Sequence, residues 1–229
     1  MTQNFVRNPS VERLPNLLEE LRNGTLRIPP IQRDFVWLGD QRLALCHSIW
    51  QGLPTGSLLV WRTKKALAPE KEIGPFAIDF RPVEPGAVVQ YLIDGSQRMT
   101  TLLAALGLGL WSREDKQPVS ASRTAPDETP WTIAFDLDTQ AFFYDECDDP
   151  NELHSLPTLF ADPANANRLP LSLLLDDLAF DEWRSARHRP REHVNRARAL
   201  RSAFIDYLIP VVPLATDDLR VVALTFKRI

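Results

Sequence analysis

The sequence predicts a mixed α+β domain, and three observations carry that reading. An apolar run at residues 87–93 is broken by Asp94-Gly95 and followed from Ser96 by Leu102, Leu103 and Leu106 on one helical face. That is the pattern of a buried strand turning directly into a helix. Helical stripes recur near both ends of the chain: Val11, Leu14, Leu17, Leu18 and Leu21 in one, Val194, Ala197, Leu200, Phe204 and Leu208 in the other. Between them, residues 131–135 and 141–144 flank a polar turn at 136–140 and read as a hairpin.

The elements follow in order. Ser10 is placed to cap the first helix, which Asn23-Gly24 ends, with Pro15 near its first turn. Residues 25–28 are extended and lead into Pro29-Pro30, which forbids a helix there and sets Gln32 and Arg33 on a stiff loop. Asp40 caps the next helix, which stops at Gly52. Pro54-Thr55-Gly56 is a turn, residues 57–61 are a strand, and 76–80 are a weaker one. After the strand and helix at 87–106, residues 112–130 lack apolar periodicity and read as a flexible insertion. Residues 169–180 hold a short helix, 191–208 a clear one, and 209–214 a strand interrupted by prolines. Thr216 caps a final helix with Leu219, Val222, Ala223 and Phe226 on one face. This helix reaches Ile229 without a stop signal, so the natural chain is expected to continue. The expected organisation is a core at 1–110, an insertion at 111–130, and a hairpin with helices at 131–229 completing the domain.

With 229 residues, 44% hydrophobic and 24% charged, the chain is an ordinary globular one able to bury one large core or two small ones. No apolar stretch reaches the roughly 18 residues of a membrane span. The start, MTQNFVRNPS, lacks the apolar core of a secretory signal, so a cytoplasmic location is expected. Cys46 and Cys147 form no CxxC and read as reduced thiols. A net charge of −4 argues against coating nucleic acid by charge alone. The charge is uneven, however. Residues 136–152 are acidic without a Lys or Arg, and residues 184–201 are rich in Arg.

The chemistry concentrates where the residue 87–93 strand ends. A strand that turns through Gly into a helix aims free N–H groups at one point, which attracts anions and phosphate above all. Arg98 lies in that first turn, where the helix dipole disfavours a cation unless an anion sits between them. Gly95 either lets a ligand approach the backbone or only makes the turn. Asp94 either caps the helix or holds Mg²⁺ or the attacking water. Arg33 suits a second phosphate clamp, and Gln32 a base or ribose contact; both also suit loop anchoring. Gly56-Ser57 offers another close approach or a plain turn. Trp37, Trp50 and Trp61 read as core.

Two imitations are rejected. Asp94 with Glu114-Asp115-Lys116 resembles a nuclease pattern, but the latter three lie in a polar loop. His188 and His193 lack a third ligand for zinc. The acidic run lacks the ordered alternation of a Ca²⁺ loop. In the Arg-rich helix, Arg196, Arg198 and Arg201 are candidates for DNA phosphate, or else a solvated or docking face.

Three stretches in this order, IPPIQRDFVW, LPTGSLLVW and LIDGSQRMTTL, resemble the ParB/sulfiredoxin-like domain of GmrSD-type enzymes. These are bacterial modification-dependent restriction and anti-phage proteins. The family signatures are a P-x-Q-R-x-x-V-W-like stretch and D-G-Q-Q-R, and the tail TFKRI resembles the start of a third, F-x-R-I-N. The resemblance is strong over residues 10–110. It implies a ParB/sulfiredoxin-like core with a mixed sheet and flanking helices, plus a helical C-terminal extension. It implies a domain that binds and hydrolyses nucleoside triphosphates, coupled to DNA restriction. DNA would be met through a C-terminal domain with a His-Asn-His centre, of which this sequence shows no sign. On matching positions, Gln32 and Arg33 carry the first signature, and Asp94, Gly95, Gln97 and Arg98 the second. Ser96 stands where the family has Gln, so a contact made by the longer amide is shortened.

The expected site is therefore Asp94 and Arg98 for catalysis, with Mg²⁺ on Asp94, and Gln32, Arg33, Gly56, Ser57, Gly95, Ser96, Gln97 and Arg98 around the nucleotide. Arg98 would clamp a β- or γ-phosphate and spread developing charge. A DNA-binding or nicking domain without turnover is the alternative, and an interaction module with a decayed site a third reading. No membrane partner is expected, and a homo-oligomer is left open.

Overall fold

The computed structural model describes residues 5–30, 32, 34–65, 67–68, 72–78, 84, 86–107, 125–145, 167–185 and 189–226. The architecture is mixed α+β. The main sheet holds β1 (Ser10–Arg13), β2 (Leu26–Arg27), β3 (Leu58–Thr63), β6 (Val89–Asp94) and β10 (Leu208–Ala215), in the order β1-β10-β3-β6-β2. Its pairing is mixed: β10 runs parallel to β3 and β2 parallel to β6, while β1–β10 and β3–β6 are antiparallel. A small ribbon joins β4 (Glu72–Ile73) and β5 (Phe76–Ala77). A second antiparallel sheet orders β7 (Ile133–Asp136), β8 (Ala141–Tyr144) and β9 (Arg168–Pro170) as β8-β7-β9. The helices are α1 (Leu14–Arg22), α2 (Gly39–Trp50), α3 (Ser96–Leu106), α4 (Asp177–Ser185), α5 (Arg191–Ile205) and α6 (Leu219–Phe226), with a 3₁₀ turn at Leu171–Leu175.

Strand alternation explains where the cores sit. In β3, Leu58 and Val60 face one side of the sheet, while Leu59 and Trp61 face the other; in β6, Leu92 opposes Tyr91 and Ile93. The first side meets α1, α2, α3, α5 and the second sheet in one large core. The stripe Leu14, Leu17, Leu18 and Leu21 is almost fully buried there, each leucine contributing about 1.5–3 kcal/mol. The other side is covered by Val222 of α6 and by Phe5 and Leu67. Of the tryptophans read as core, Trp61 is fully buried, and Trp37 and Trp50 are partly buried against the large core.

Several boundaries differ from the sequence reading. Ser10 does not cap a helix. It begins β1, paired to Val211, and α1 starts at Leu14 with proline in its first positions. Asp40 lies inside α2, whose N-cap is Leu38, and a distant carboxylate, Asp127, takes the Gly39 N–H instead. Thr216 does not cap the last helix, because Asp218 accepts the Arg220 N–H at 2.8 Å. The prolines do not interrupt β10. Each removes only its own donor, and Pro213 O still accepts the Arg7 N–H at 2.9 Å. Residues 125–130 pack as a turn against α2, and residues 112–124 of the expected insertion lie outside the described residues.

Candidate functional site

Strand β6 ends at Asp94, and Gly95 turns the chain into α3 with φ +99°. A side chain at 95 would be strained at that angle, and its Cβ would collide with Leu58 Cδ2 of β3. The glycine therefore serves a turn and a close approach at once. Asp94 is not the N-cap of α3; Gly95 holds that position, without a side-chain cap. The first-turn bond of α3 runs from Met99 N–H to Gly95 O at 3.0 Å. The N–H groups of Ser96, Gln97 and Arg98 have no acceptor among the described residues, as a helix start leaves them.

The side chains of this turn reach to loops on either side. Arg98 Nη1 donates to Thr55 O at 2.6 Å and Nη2 to Ser57 O at 2.7 Å. Its Nη2 also lies 3.6 Å from Asp94 Oδ2. Gly56, between the two accepting residues, has φ +90°, and a Cβ there would lie 3.0 Å from Arg98 Nη1. On the other flank, Gln97 Oε1 accepts the Val36 N–H at 2.8 Å and Gln97 Nε2 donates to Asp34 O at 3.1 Å. Gln32 Nε2 donates to Leu92 O and Ile93 O at 2.8 and 2.9 Å, and the Ser96 hydroxyl donates to Gln32 Oε1 at 3.2 Å. Ser96 and Gln97 are buried, while the Asp94 carboxylate is 41% exposed.

The structure thus brings Gln32, Gly56, Ser57, Asp94, Gly95, Ser96, Gln97 and Arg98 into one neighbourhood. Arg33 lies outside the described residues, as do Glu114, Asp115, Lys116, Cys147 and His188. The sequence reading did not foresee how many of these atoms bind the chain's own backbone. The partners are carbonyls of residues 34, 55, 57, 92 and 93, which carry no side-chain signal. Nor did it single out Tyr207, whose hydroxyl donates to Leu53 O at 2.6 Å and accepts the Thr55 N–H at 3.0 Å.

A model of the GmrSD restriction endonuclease N-terminal domain matches residues 14–228. The chain belongs to this family. No curated protein matches it. Membership places this GmrSD N-terminal domain in a restriction or defence setting.

Of the Arg-rich helix, two candidates make contacts within the fold of this GmrSD N-terminal domain. Arg196 bonds Glu192 and Leu137 O, and Arg201 bonds Asp177 and Leu174 O. Arg198 is exposed. His193 Nε2 meets Asp138 Oδ1 at 2.7 Å, joining α5 to the β7–β8 turn. Among the described residues, no three His, Cys, Asp or Glu side chains are grouped to hold a metal. Nor is any helix there long and apolar enough to cross a membrane.

Proposed function

We propose that this domain binds a nucleoside triphosphate at the β6–α3 turn and hydrolyses it, as the regulatory part of a restriction or defence enzyme. The observation that carries the reading is the helix start, whose first N–H groups have no acceptor among the described residues. Three adjacent N–H donors follow a left-handed glycine beside the signature residues Asp94, Gln97 and Arg98. The Ser96 and Gln97 amides hold phosphate oxygens, with the Gly56-Ser57 turn as the opposite wall. Gln32 braces the turn through Leu92 O, Ile93 O and the Ser96 hydroxyl, and Arg33, outside the described residues, would serve the base, ribose or a further phosphate. Asp94 orients the attacking water, and Arg98 offsets charge developing on the transferred phosphoryl group.

A lone, half-exposed carboxylate fits Mg²⁺ only as an ion shared with substrate phosphates, since Mg²⁺ keeps waters and takes one or two carboxylates. Asp94 would hold it. Once bound, it supplies neutralising charge for the triphosphate.

The test is a thermal-shift and turnover panel of nucleoside triphosphates, with and without Mg²⁺, on wild type and Arg98→Ala. A ligand selective for the folded state raises the midpoint, by about 2.7 kcal/mol of stability at a hundred times Kd. Turnover is expected in wild type and strongly reduced in Arg98→Ala. Equal turnover in the two proteins removes the assignment.

A further inference from the structure

We infer that Arg98 is an exchange cation: without ligand it locks the 53–57 loop, and a bound polyphosphate takes it from that loop. The inference rests on the nucleotide reading above and assigns that site its moving part.

The donors of Arg98 are already committed. Nη1 faces Thr55 O at 2.6 Å, and Nη2 faces Ser57 O at 2.7 Å with Asp94 Oδ2 at 3.6 Å. Two of these neighbours are carbonyl oxygens with partial negative charge, and the third belongs to a carboxylate. A phosphate oxygen brought to either nitrogen meets them at close range, so anion and loop compete for these donors. The bonds to Thr55 O and Ser57 O pair a cation with a neutral acceptor, whereas a phosphate is a full anion that the two-pronged guanidinium can meet with both donors at once, which favours the anion. The Arg98 side chain is 15% exposed, so most of it is covered while the loop holds it.

Gly56 fits the locked state. Its φ of +90° and the 3.0 Å approach of Arg98 Nη1 to a Cβ position mean that any other residue there strains the closed loop and crowds the guanidinium. The other tether is Tyr207, through Leu53 O and the Thr55 N–H. Tyr207 stands between α5 and β10, and its carbonyl accepts the Leu14 N–H at the start of α1. Movement of the loop is therefore delivered to the junction of α1, α5 and β10, away from the phosphates.

Hydrogen exchange and binding on the full chain test this, with inorganic tripolyphosphate and ATP as probes. Without ligand, residues 53–57 exchange roughly fivefold faster in Arg98→Ala and Gly56→Ala than in wild type, the weight of one net hydrogen bond. In Arg98→Lys, where one ammonium replaces the fork, the increase is smaller. With probe, wild type gains protection at 95–99 and loses it at 53–57. Gly56→Ala, relieved of the competition, binds tripolyphosphate roughly fivefold tighter, and Arg98→Ala binds it more weakly. Weaker binding by Gly56→Ala, or a 53–57 loop protected by the probe, overturns the exchange and leaves the β6–α3 site standing. A wild type that shows neither protection at 95–99 nor a thermal shift overturns both.

Discussion

Arg42 and Asp127, 85 residues apart, are joined across the N-terminus of α2 with Nη2 3.5 Å from Oδ1. The Arg42 side chain is 1% exposed and bonds Thr129 Oγ1 and Pro130 O as well. Its guanidinium lies 5.1 Å from the Trp131 ring and 4.7 Å from that of Tyr144. Burial pulls the Arg42 pKa down, while Tyr144 and Asp127 push back. The cation is held by its box of acceptors and rings, and its Nε finds no partner among the described residues.

Removing the cation strands the anion. Arg42→Ala leaves Asp127 without its counter-ion, Pro130 O without a donor, and a cavity between two aromatic rings. The expected loss is about 3–5 kcal/mol, read by urea denaturation. Arg42→Met fills the space without pairing Asp127 and recovers only part of it.

Acid acts on the same pair. Burial pushes the Asp127 carboxyl up, but hydrogen bonds from Thr129 and the Gly39 N–H, with Arg42 beside them, outweigh it and hold its pKa below the usual carboxylate value. The folded pKa lies under the unfolded one. This stabilisation is therefore complete above about pH 4, the unfolded value, and is lost as pH falls through the folded value. Asp127→Asn is expected to be less stable at neutral pH and to show a shallower fall in midpoint on acidification. An identical acid slope in both proteins would count against the assignment.

Gln97 spends both amide atoms on loop 34–36. Gln97→Glu keeps an acceptor for Val36 N–H but loses the donor to Asp34 O. A loss of about 1–3 kcal/mol is expected, with faster amide exchange at residue 36. Phe35 packs on Trp131 at 5.0 Å between ring centres, so Trp131 fluorescence should shift in the same variant.

Cys46 is fully buried in α2, and burial raises its thiol pKa to about 12. The thiolate is the reactive form. Alkylation at pH 8, followed by mass spectrometry of the Cys46 peptide, should show no modification in the native protein and full modification in denaturant.

The fold was legible where periodicity is strong. The stripe from Leu14 to Leu21, the run into Asp94-Gly95 and the β7–β8 hairpin all stand close to where the residues put them. Caps were less legible. Asp127 reaches the Gly39 N–H from 88 residues away, and no local pattern announces a distant cap. The site's neighbourhood was legible from its signatures, since Gln32 and Ser96 do meet. Its internal bonding was not. Arg98 and Gln97 are satisfied by main-chain carbonyls and by the Val36 N–H, groups of the backbone that no sequence marks.

The position of β10 governs how the protein is made. Its Val211 pairs with Ser10 on one flank and with Leu58 on the other, so the last strand among the described residues is inserted between two that leave the ribosome long before it. Until residue 215 has emerged, β1 and the facing side of β3 are bare edges, open to pairing with a neighbouring nascent chain. A chain that stops short of Leu208 lacks the strand that seals both edges.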